Sequence, residues 1–292
     1  MKIKIEGLLK AITPIFHGGD EKTGSTPVLR TISLYDSEKN SFVVLPYISG
    51  NSIRGKLRRL IFSDLYQSIN YEPDLKEHHI FYSGGVLESS EAVYGIIDLD
   101  LRKKLRENIV PLSLFGASIG NQVIPGKMQV GHAFPVCEEY RNFLPEKYRD
   151  LPQTQKSVRL FADETFITRR AELTKQQEDE QAVQMKVDYE CFIPGTVFYH
   201  WFALDYPNSL ELSCFARLLE LFYDTPFLGG RSSQGDGQVE MNYNFVESDT
   251  KEYLEYLKDK ERILGAFQEV QNLFKKVKNE SPRGSSEEIS EI

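Results

Sequence analysis

Short apolar runs bounded by turn residues give this chain the pattern of a mixed α and β protein. Residues 2–11 alternate between charged and apolar side chains, which predicts a first β-strand. The run SFVVLP at 41–46 predicts another strand. By the same criteria, further strands or short extended pieces are predicted at 27–30, 31–35, 92–99, 127–136, 195–205 and 238–245.

Helical spacing of apolar residues predicts the helices. Over 52–67, Leu57, Leu60 and Ile61 recur at helical spacing and are expected to face a core. Asn51 or Ser52 is expected to cap this helix, since a short side-chain oxygen can accept a hydrogen bond from a first-turn N–H. Other helices are predicted at 100–108, 209–223 and 249–277, and 70–91 is predicted to be a loop.

A long excursion interrupts this pattern between 157 and 193. The chain runs out to the polar tip TKQQEDEQ at 174–181 and returns as a strand, which predicts a protruding β-hairpin with a solvated tip. Strand, helix and strand follow one another both before and after the excursion. The expected fold class is therefore α+β, with a ferredoxin-like core. The expected division is 1–248 for the core with its inserted hairpin, 249–278 for a C-terminal helix and 279–292 for a disordered tail.

Composition restricts the class of protein. The chain has 292 residues, of which 40% are hydrophobic and 12% aromatic, so it can bury a sizeable core as one large domain or two smaller ones. No apolar run approaches the roughly 20 residues of a membrane span, and the first residues lack the apolar region of a signal peptide. The three cysteines are scattered, which argues against a disulfide framework or structural zinc and is typical of a reducing cytoplasm. The expected location is cytoplasmic, without a membrane partner.

The distribution of charge changes what the net charge suggests. A net charge of −8 argues against a nucleic-acid partner. The first 60 residues nevertheless hold ten Lys and Arg against five Asp and Glu, and much of the acid lies at 98–100, 178–180 and 287–291. The charge distribution is therefore still compatible with a basic, nucleic-acid-binding groove in an acidic protein.

The stretch 45–62, LPYISGNSIRGKLRRLIF, is the strongest candidate for binding chemistry. It combines a glycine turn, a predicted helix N-terminus and four cations, which together favour phosphate binding. The four cations are Arg54, Lys56, Arg58 and Arg59. The alternative is a strand–turn–helix junction whose basic residues are simply solvated. The segment also nearly matches the phosphate-binding loop G-x-x-x-x-G-K, but Leu57 stands where a triphosphatase needs the hydroxyl that binds Mg²⁺, which argues against an ATPase.

Four segments together resemble a known family. They are ITPIFHGG at 12–19 with the following TPVLR at 26–30, PYISGNSIRGKLRRL at 46–60, SLFGA at 113–117 and FLGGRSSQGDGQV at 227–239. In this order they resemble the RAMP superfamily of CRISPR-associated proteins, specifically the backbone subunits that polymerise along guide RNA in type III complexes. Related subunits occur in type IV complexes. The segment ITRRAEL at 167–173 lies where such proteins begin a β-hairpin thumb.

The resemblance implies an RRM-like ferredoxin palm with an inserted thumb hairpin and a C-terminal helix. It implies that the palm holds the guide-RNA backbone while the thumb passes between guide and target and splays a base pair at intervals. The implied partners are CRISPR guide RNA, complementary target RNA and other RAMP subunits, and no cofactor is implied. The residues expected to bind RNA are His17, Gly50, Asn51, Ser52, Arg54, Lys56, Arg58, Arg59, Lys127, Arg169, Arg170, Gly229, Gly230, Arg231 and Ser232.

One departure from the family pattern concerns cleavage. Cleaving members carry an Asp directly before the segment that corresponds to TPVLR, whereas this chain has Ser25. A hydroxyl cannot replace a carboxylate as a metal ligand or base, so RNA cleavage at this position is not expected. One alternative is a Mg²⁺-dependent target-RNA endonuclease that uses Asp20 or Asp36. Two others are a guide-processing nuclease with His17 as general base and a small-molecule nucleotide binder.

Overall fold

The computed structural model describes residues 1–23, 26–85, 98–119, 122–170, 184–245 and 249–280. Several sequence predictions lie outside these residues. They are most of the strand at 92–99, the hairpin tip at 174–181, the tail beyond residue 280 and the comparison at Ser25.

The described residues form strands, α-helices and a few short 3₁₀ turns. The strands are β1 (Lys2–Ala11), β2 (Gly18–Thr23), β3 (Thr26–Leu29), β4 (Thr31–Asp36), β5 (Ser41–Pro46), β6 (Gly116–Ile119), β7 (Gln122–Pro125), β8 (Met128–Val130), β9 (Phe134–Pro135), β10 (Ala162–Arg170), β11 (Gln184–Phe192), β12 (Val197–Asp205) and β13 (Val239–Tyr243). The helices are α1 (Gly50–Ile69), α2 (Leu75–Ser83), α3 (Leu99–Asn108), α4 (Val110–Phe115), α5 (Ser209–Asp224), α6 (Lys251–Tyr256) and α7 (Lys260–Glu280). The class is α+β, with several small antiparallel sheets.

The central sheet is antiparallel, in the order β13-β1-β12-β8, with β9 paired to the first part of β12. Strand β1 pairs with β12 from Lys2 opposite Asp205 to Lys10 opposite Val197. On its other side β1 pairs with β13. The sheet thus joins segments from both ends of the chain, which places the loops that follow β1 and precede β13 next to each other.

Helices α1 and α5 cover one face of this sheet. Alternate residues of β1, among them Ile5 and Leu9, are buried in the same cluster as Leu57 of α1 and Phe215 of α5. This is the pattern expected when every second strand residue faces a helical layer. No helix among the described residues is both long enough and apolar enough to cross a membrane.

A second apolar cluster covers the opposite face of the sheet. It contains Leu45, Tyr47, Phe134 and Tyr140, against which Leu8 of β1 packs. The hairpin of β4 and β5 and the turns between β9 and β10 contribute most of its residues. Tyr47, between β5 and α1, joins this cluster to the start of α1.

Strands β10 and β11 form a separate antiparallel hairpin where the sequence predicted one. Their register runs from Ala162 opposite Phe192 to Arg170 opposite Gln184. The carboxylate of Glu190 accepts a hydrogen bond of 2.7 Å from the N–H of Leu29, which fastens the base of the hairpin to β3.

Several predicted segments differ from the structure, among them the strand predicted at 127–136, which is two short strands, β8 and β9. The predicted loop at 70–91 contains α2, which begins with a capping box between Asp74 and Glu77. The single helix predicted over 249–277 is two helices, because the Asp259 side chain accepts a hydrogen bond from the N–H of Arg262 and starts α7 anew. The polar stretch after His17, where no strand is predicted before residue 27, forms β2 by pairing with β3.

Candidate nucleic-acid interface

The first turn of α1 is capped by Ser49, and not by Asn51 or Ser52 as predicted. The Ser49 hydroxyl accepts a hydrogen bond of 3.2 Å from the N–H of Ser52. The N–H of Gly50 donates to Nδ1 of His132 at 2.9 Å. Protein groups therefore occupy most of the first-turn donors. In the part of the chain that the structure describes, the N–H of Asn51 has no such partner, and the residue is exposed.

Two histidine rings hold this helix end in place. His17 accepts a hydrogen bond of 3.1 Å at Nε2 from the N–H of Ser49, as His132 does from Gly50. Burial and the nearby charge of Arg30 lower the pKa of His17 to about 4, and burial also lowers the pKa of His132. Both rings are therefore neutral at pH 7. The Nε2 lone pair that a general base at His17 would need is already engaged by the backbone.

A buried histidine gives the fold a measurable acid sensitivity. His200 in β12 is fully buried beside the Tyr243 hydroxyl, and burial lowers its pKa to about 3. We expect the free energy of unfolding to fall between about pH 7.5 and about pH 5, because only the unfolded chain takes up this proton below about pH 6.5. The loss from His200 alone at about pH 5 is about 2 kcal/mol, measurable by urea unfolding at both pH values.

The matched control is His200→Asn, which keeps an acceptor for the Tyr243 hydroxyl but does not titrate. The variant is expected to be less stable at both pH values and to lose less stability on acidification. Carboxylates with a lowered pKa, such as Glu6 and Glu139, lose their contribution to the free energy of unfolding only below about pH 4.5. They therefore do not affect the comparison between about pH 7.5 and about pH 5. An equal loss in both proteins would contradict the assignment.

The four predicted cations of α1 separate into an inward and an outward pair. Arg54 and Arg58 are one helical turn apart, and their guanidinium groups donate to the carbonyl oxygens of Phe115 and Gly116 at the end of α4. Arg58 also donates from Nε to the carbonyl of Phe81 at 2.9 Å. Burial, and secondarily the charge of Arg54, lower the pKa of Arg58 to about 10. The inward pair thus ties α1 to the SLFGA segment.

Lys56 and Arg59 form the outward pair. Arg59 is exposed and Lys56 half-buried, and the described residues contain no carboxylate within ion-pair distance of either. Burial and the adjacent charge of Arg59 lower the pKa of Lys56, so the two cations repel each other. An anion beside them would relieve that repulsion. We call this pair the α1 cation pair.

The second glycine turn, at 227–238, packs against the segment after β1. The N–H of Gly230 donates to the carbonyl of Phe16 at 2.8 Å, and the N–H of Gly237 donates to the carbonyl of Pro14 at 2.7 Å. Gly229 has a φ of +78°, and a Cβ there would lie 2.3 Å from the Phe16 carbonyl oxygen. Only glycine permits this approach of one backbone to the other.

Arg231 projects from this turn over two aromatic rings. Its guanidinium lies 3.8 Å from the ring centroid of Tyr189 and 4.9 Å from that of Phe16. The Tyr189 hydroxyl donates to the buried carboxylate of Asp236 at 2.6 Å, and this hydrogen bond restrains the tyrosine ring. Arg231 is therefore held in place before any ligand arrives, and Ser232 beside it is exposed.

These contacts bring the four sequence segments into one continuous region. Phe16 joins the segment after β1 to the second glycine turn, and His17 joins it to the start of α1. Arg54 and Arg58 then join α1 to the SLFGA segment. We call the surface formed by the first turns of α1, the α1 cation pair and the turn at 229–232 the palm cradle.

Of the three other predicted RNA-binding residues, one has its cation engaged by a carboxylate, and the side chains of the other two are not described. Lys127 forms a bidentate ion pair with Glu211, with both N–O distances 2.8 Å, and this pair fastens the turn before β8 to the start of α5. Arg169 and Arg170 lie in β10, where their backbones pair with Met185 and Gln184. The side chains of these two arginines are outside the described part of the chain.

No known protein family and no curated protein matches the chain. Its fold is similar to that of a chain in a Type IV-B CRISPR complex. The TM-score is 0.59, with 20% sequence identity over 88% of this chain and 100% of that chain. At this identity the similarity establishes a shared fold.

The acidic residues considered for metal chemistry do not converge. Asp36 is buried at the end of β4, where it accepts from the N–H groups of Glu38 and Lys39 at 3.0 and 3.3 Å and from the Asn142 amide. It therefore stabilises a hairpin turn. The Asp20 side chain lies outside the described residues. Within the described ranges, no group of three or more His, Cys, Asp or Glu side chains is arranged to hold a metal ion.

Sequence reasoning missed three side chains that shape the palm cradle. They are His132, Phe16 and Tyr189. Phe16 lies inside the ITPIFHGG segment, so the motif itself contained a signal for this residue. His132 and Tyr189 carry no local signal, because their partners Gly50 and Arg231 are distant in sequence.

Proposed function

We propose that this chain is a subunit of a CRISPR effector ribonucleoprotein, and that its palm cradle holds the phosphate backbone of the guide RNA. The supporting observation is that the segment after β1 contacts both glycine turns, on a fold shared with a chain of a CRISPR complex. One turn carries Arg231, and the other begins the helix that carries Lys56 and Arg59. The backbone N–H of Asn51 and cations without carboxylate partners suit phosphates and read no sequence. Sequence would come from base pairing between guide and target.

The order of elements supports a ferredoxin-like palm of the RAMP kind. In the chain, β1, α1, β8, β12, α5 and β13 follow one another as β-α-β-β-α-β, the order that defines such a palm. The remaining elements would be insertions into it. In this proposal the protein works in the cytoplasm beside other subunits of a type III-like or type IV complex.

The β10–β11 hairpin would be the thumb that wedges the duplex of guide and target RNA. Phe166 on β10 is 56% exposed, and Nζ of Lys186 lies 4.5 Å from its ring centroid. An exposed ring beside a cation suits contact with a base and its phosphate. Lys186 also forms an ion pair of 2.8 Å with Asp188, and Arg169 and Arg170 lie further along β10 toward the tip.

The palm cradle would bind RNA without cutting it. The carboxylate of Asp36 is engaged in its hairpin turn, and the ring of His17 accepts a backbone hydrogen bond, so neither is ready for catalysis. Incubation of the assembled complex with labelled target RNA and Mg²⁺ should give no cleavage that depends on Asp20 or Asp36. Cleavage abolished by Asp20→Ala would favour the nuclease alternative.

Reversing the α1 cation pair tests the proposal. We expect Lys56→Glu with Arg59→Glu to weaken binding of single-stranded RNA by at least about tenfold at moderate salt, because two phosphate contacts become repulsions. The loss should be similar for RNAs of unrelated sequence. Fluorescence anisotropy with the full chain measures it.

The control changes the net charge equally at two other exposed sites. Lys251→Glu with Lys258→Glu alters side chains that are 87% and 71% exposed near α6. This control should change affinity by less than about twofold, through the long-range field alone. If both double variants weaken binding equally, the palm cradle is not the binding surface.

A further inference from the structure

The hairpin formed by β4 and β5 has an exposed apolar outer face. Tyr35, Phe42 and Val44 are 50%, 78% and 58% exposed. They share a face because Tyr35 pairs with Phe42, and Ser33 with Val44, across the two strands. The opposite face of the hairpin, which includes Leu45, packs into the second apolar cluster. The outer face is therefore not needed to complete the core.

The two aromatic rings on this face are held close together. Their centroids are 5.3 Å apart with the planes inclined by 55°. The Tyr35 hydroxyl donates to Oδ1 of Asn40 at 2.6 Å, which restrains the tyrosine ring. Restrained aromatic rings that face solvent are the side chains on which RNA-binding sheets stack unpaired bases.

The outer face begins beside the palm cradle. The last pair of the hairpin is Thr31 with Pro46. The N–H of Tyr47, two residues before the cap of α1, donates to the carbonyl of Arg30 at 3.0 Å. Phe42 and Ser49 are separated by a chain that can span at most about 25 Å. The distance from the aromatic rings to the cap of α1 therefore corresponds to at most a few nucleotides of extended RNA.

We propose that Tyr35 and Phe42 form a stacking platform for an unpaired base of the RNA held in the palm cradle. The proposal rests on the proposed function and adds a subsite to it. RNA fits this face better than a protein partner does, because three apolar side chains beside Ser33 fall short of the roughly 800 Å² per partner in a stable protein interface. Stacking tolerates any base, so the platform adds affinity without sequence preference.

The test uses Phe42→Ala and Phe42→Trp in the full chain. The probes are single-stranded RNAs, each with a fluorescent purine analogue at one position, whose emission falls when the base stacks. With the wild type, we expect quenching at one region of the RNA. Phe42→Ala should abolish this quenching and weaken binding roughly 5- to 100-fold, and Phe42→Trp should restore both. The salt dependence of affinity should stay unchanged, because no charge is altered.

The outcomes separate this proposal from the one on which it rests. Salt-dependent RNA binding by the wild type, with equal affinity and quenching for Phe42→Ala, overturns the stacking platform alone. So does a Phe42→Ala protein that binds RNA normally but loses self-association in sedimentation, since the face would then bind a second copy of the chain. If the wild type shows no salt-dependent RNA binding, both proposals fall.

Discussion

Arg58→Met is expected to lower the free energy of unfolding by about 2–3 kcal/mol while leaving the salt dependence of RNA binding unchanged. The change leaves the buried carbonyl oxygens of Phe81 and Gly116 without their donor. Gly116 pairs with Pro125 across β6 and β7, and proline has no N–H to offer instead. Hydrogen bonds from a charged donor are worth about 1.5–3 kcal/mol each, and release of the buried charge offsets part of that loss.

Arg59→Met is the matched control, one residue along the same helix. Its side chain is exposed, so we expect a stability change below about 0.5 kcal/mol and a shallower salt dependence of RNA affinity. Urea unfolding and RNA titration of the two variants measure both properties. If Arg58→Met keeps wild-type stability but binds RNA more weakly, the assignment of inward and outward cations is wrong.

Gly50→Ala is expected to lower the free energy of unfolding by about 3 kcal/mol. A Cβ at Gly50 would lie 2.4 Å from the carbonyl oxygen of Val130 and 2.6 Å from that of Gly131. Both contacts are backbone atoms at the end of β8, so the start of α1 would have to move away from the sheet. That movement would also break the hydrogen bond from Gly50 to His132.

Gly55→Ala is the control for this prediction. It lies in the same helix, and its added methyl would meet only the flexible end of Arg59, at 3.4 Å. Because alanine favours a helix interior over glycine, this variant should gain about 0.5–1 kcal/mol. Thermal or urea unfolding of both variants gives the comparison. Similar effects of the two substitutions would contradict the close approach of α1 to β8.

The sequence predicted the elements with strong local patterns. Strand β1 has the predicted limits because its charged and apolar residues alternate over most of its length, and β5 has them because Pro46 and the residues before Ser41 bound it. Helix α2 was missed because it is short and few of its side chains face the core. Its capping box, Asp74 with Glu77, was the available signal.

The candidate site could be predicted only in outline. Spacing along α1 could have separated Arg54 and Arg58 from Lys56 and Arg59, because the first two lie one turn apart at the edge of the apolar face. The caps supplied by His17 and His132 could not be predicted, since they lie 32 and 82 residues from their partners. Such contacts are set by the register of the sheet, which the local sequence does not encode.

The salt dependence of RNA affinity tests the central claim most directly. For the wild type, the logarithm of the association constant should fall linearly with the logarithm of salt concentration. Lys56→Glu with Arg59→Glu should make that slope shallower by about 1.4, the share of two phosphate contacts with a single strand. The control Lys251→Glu with Lys258→Glu should keep the wild-type slope. A slope that is unchanged when the α1 cation pair is reversed would contradict the palm cradle as the surface that holds RNA.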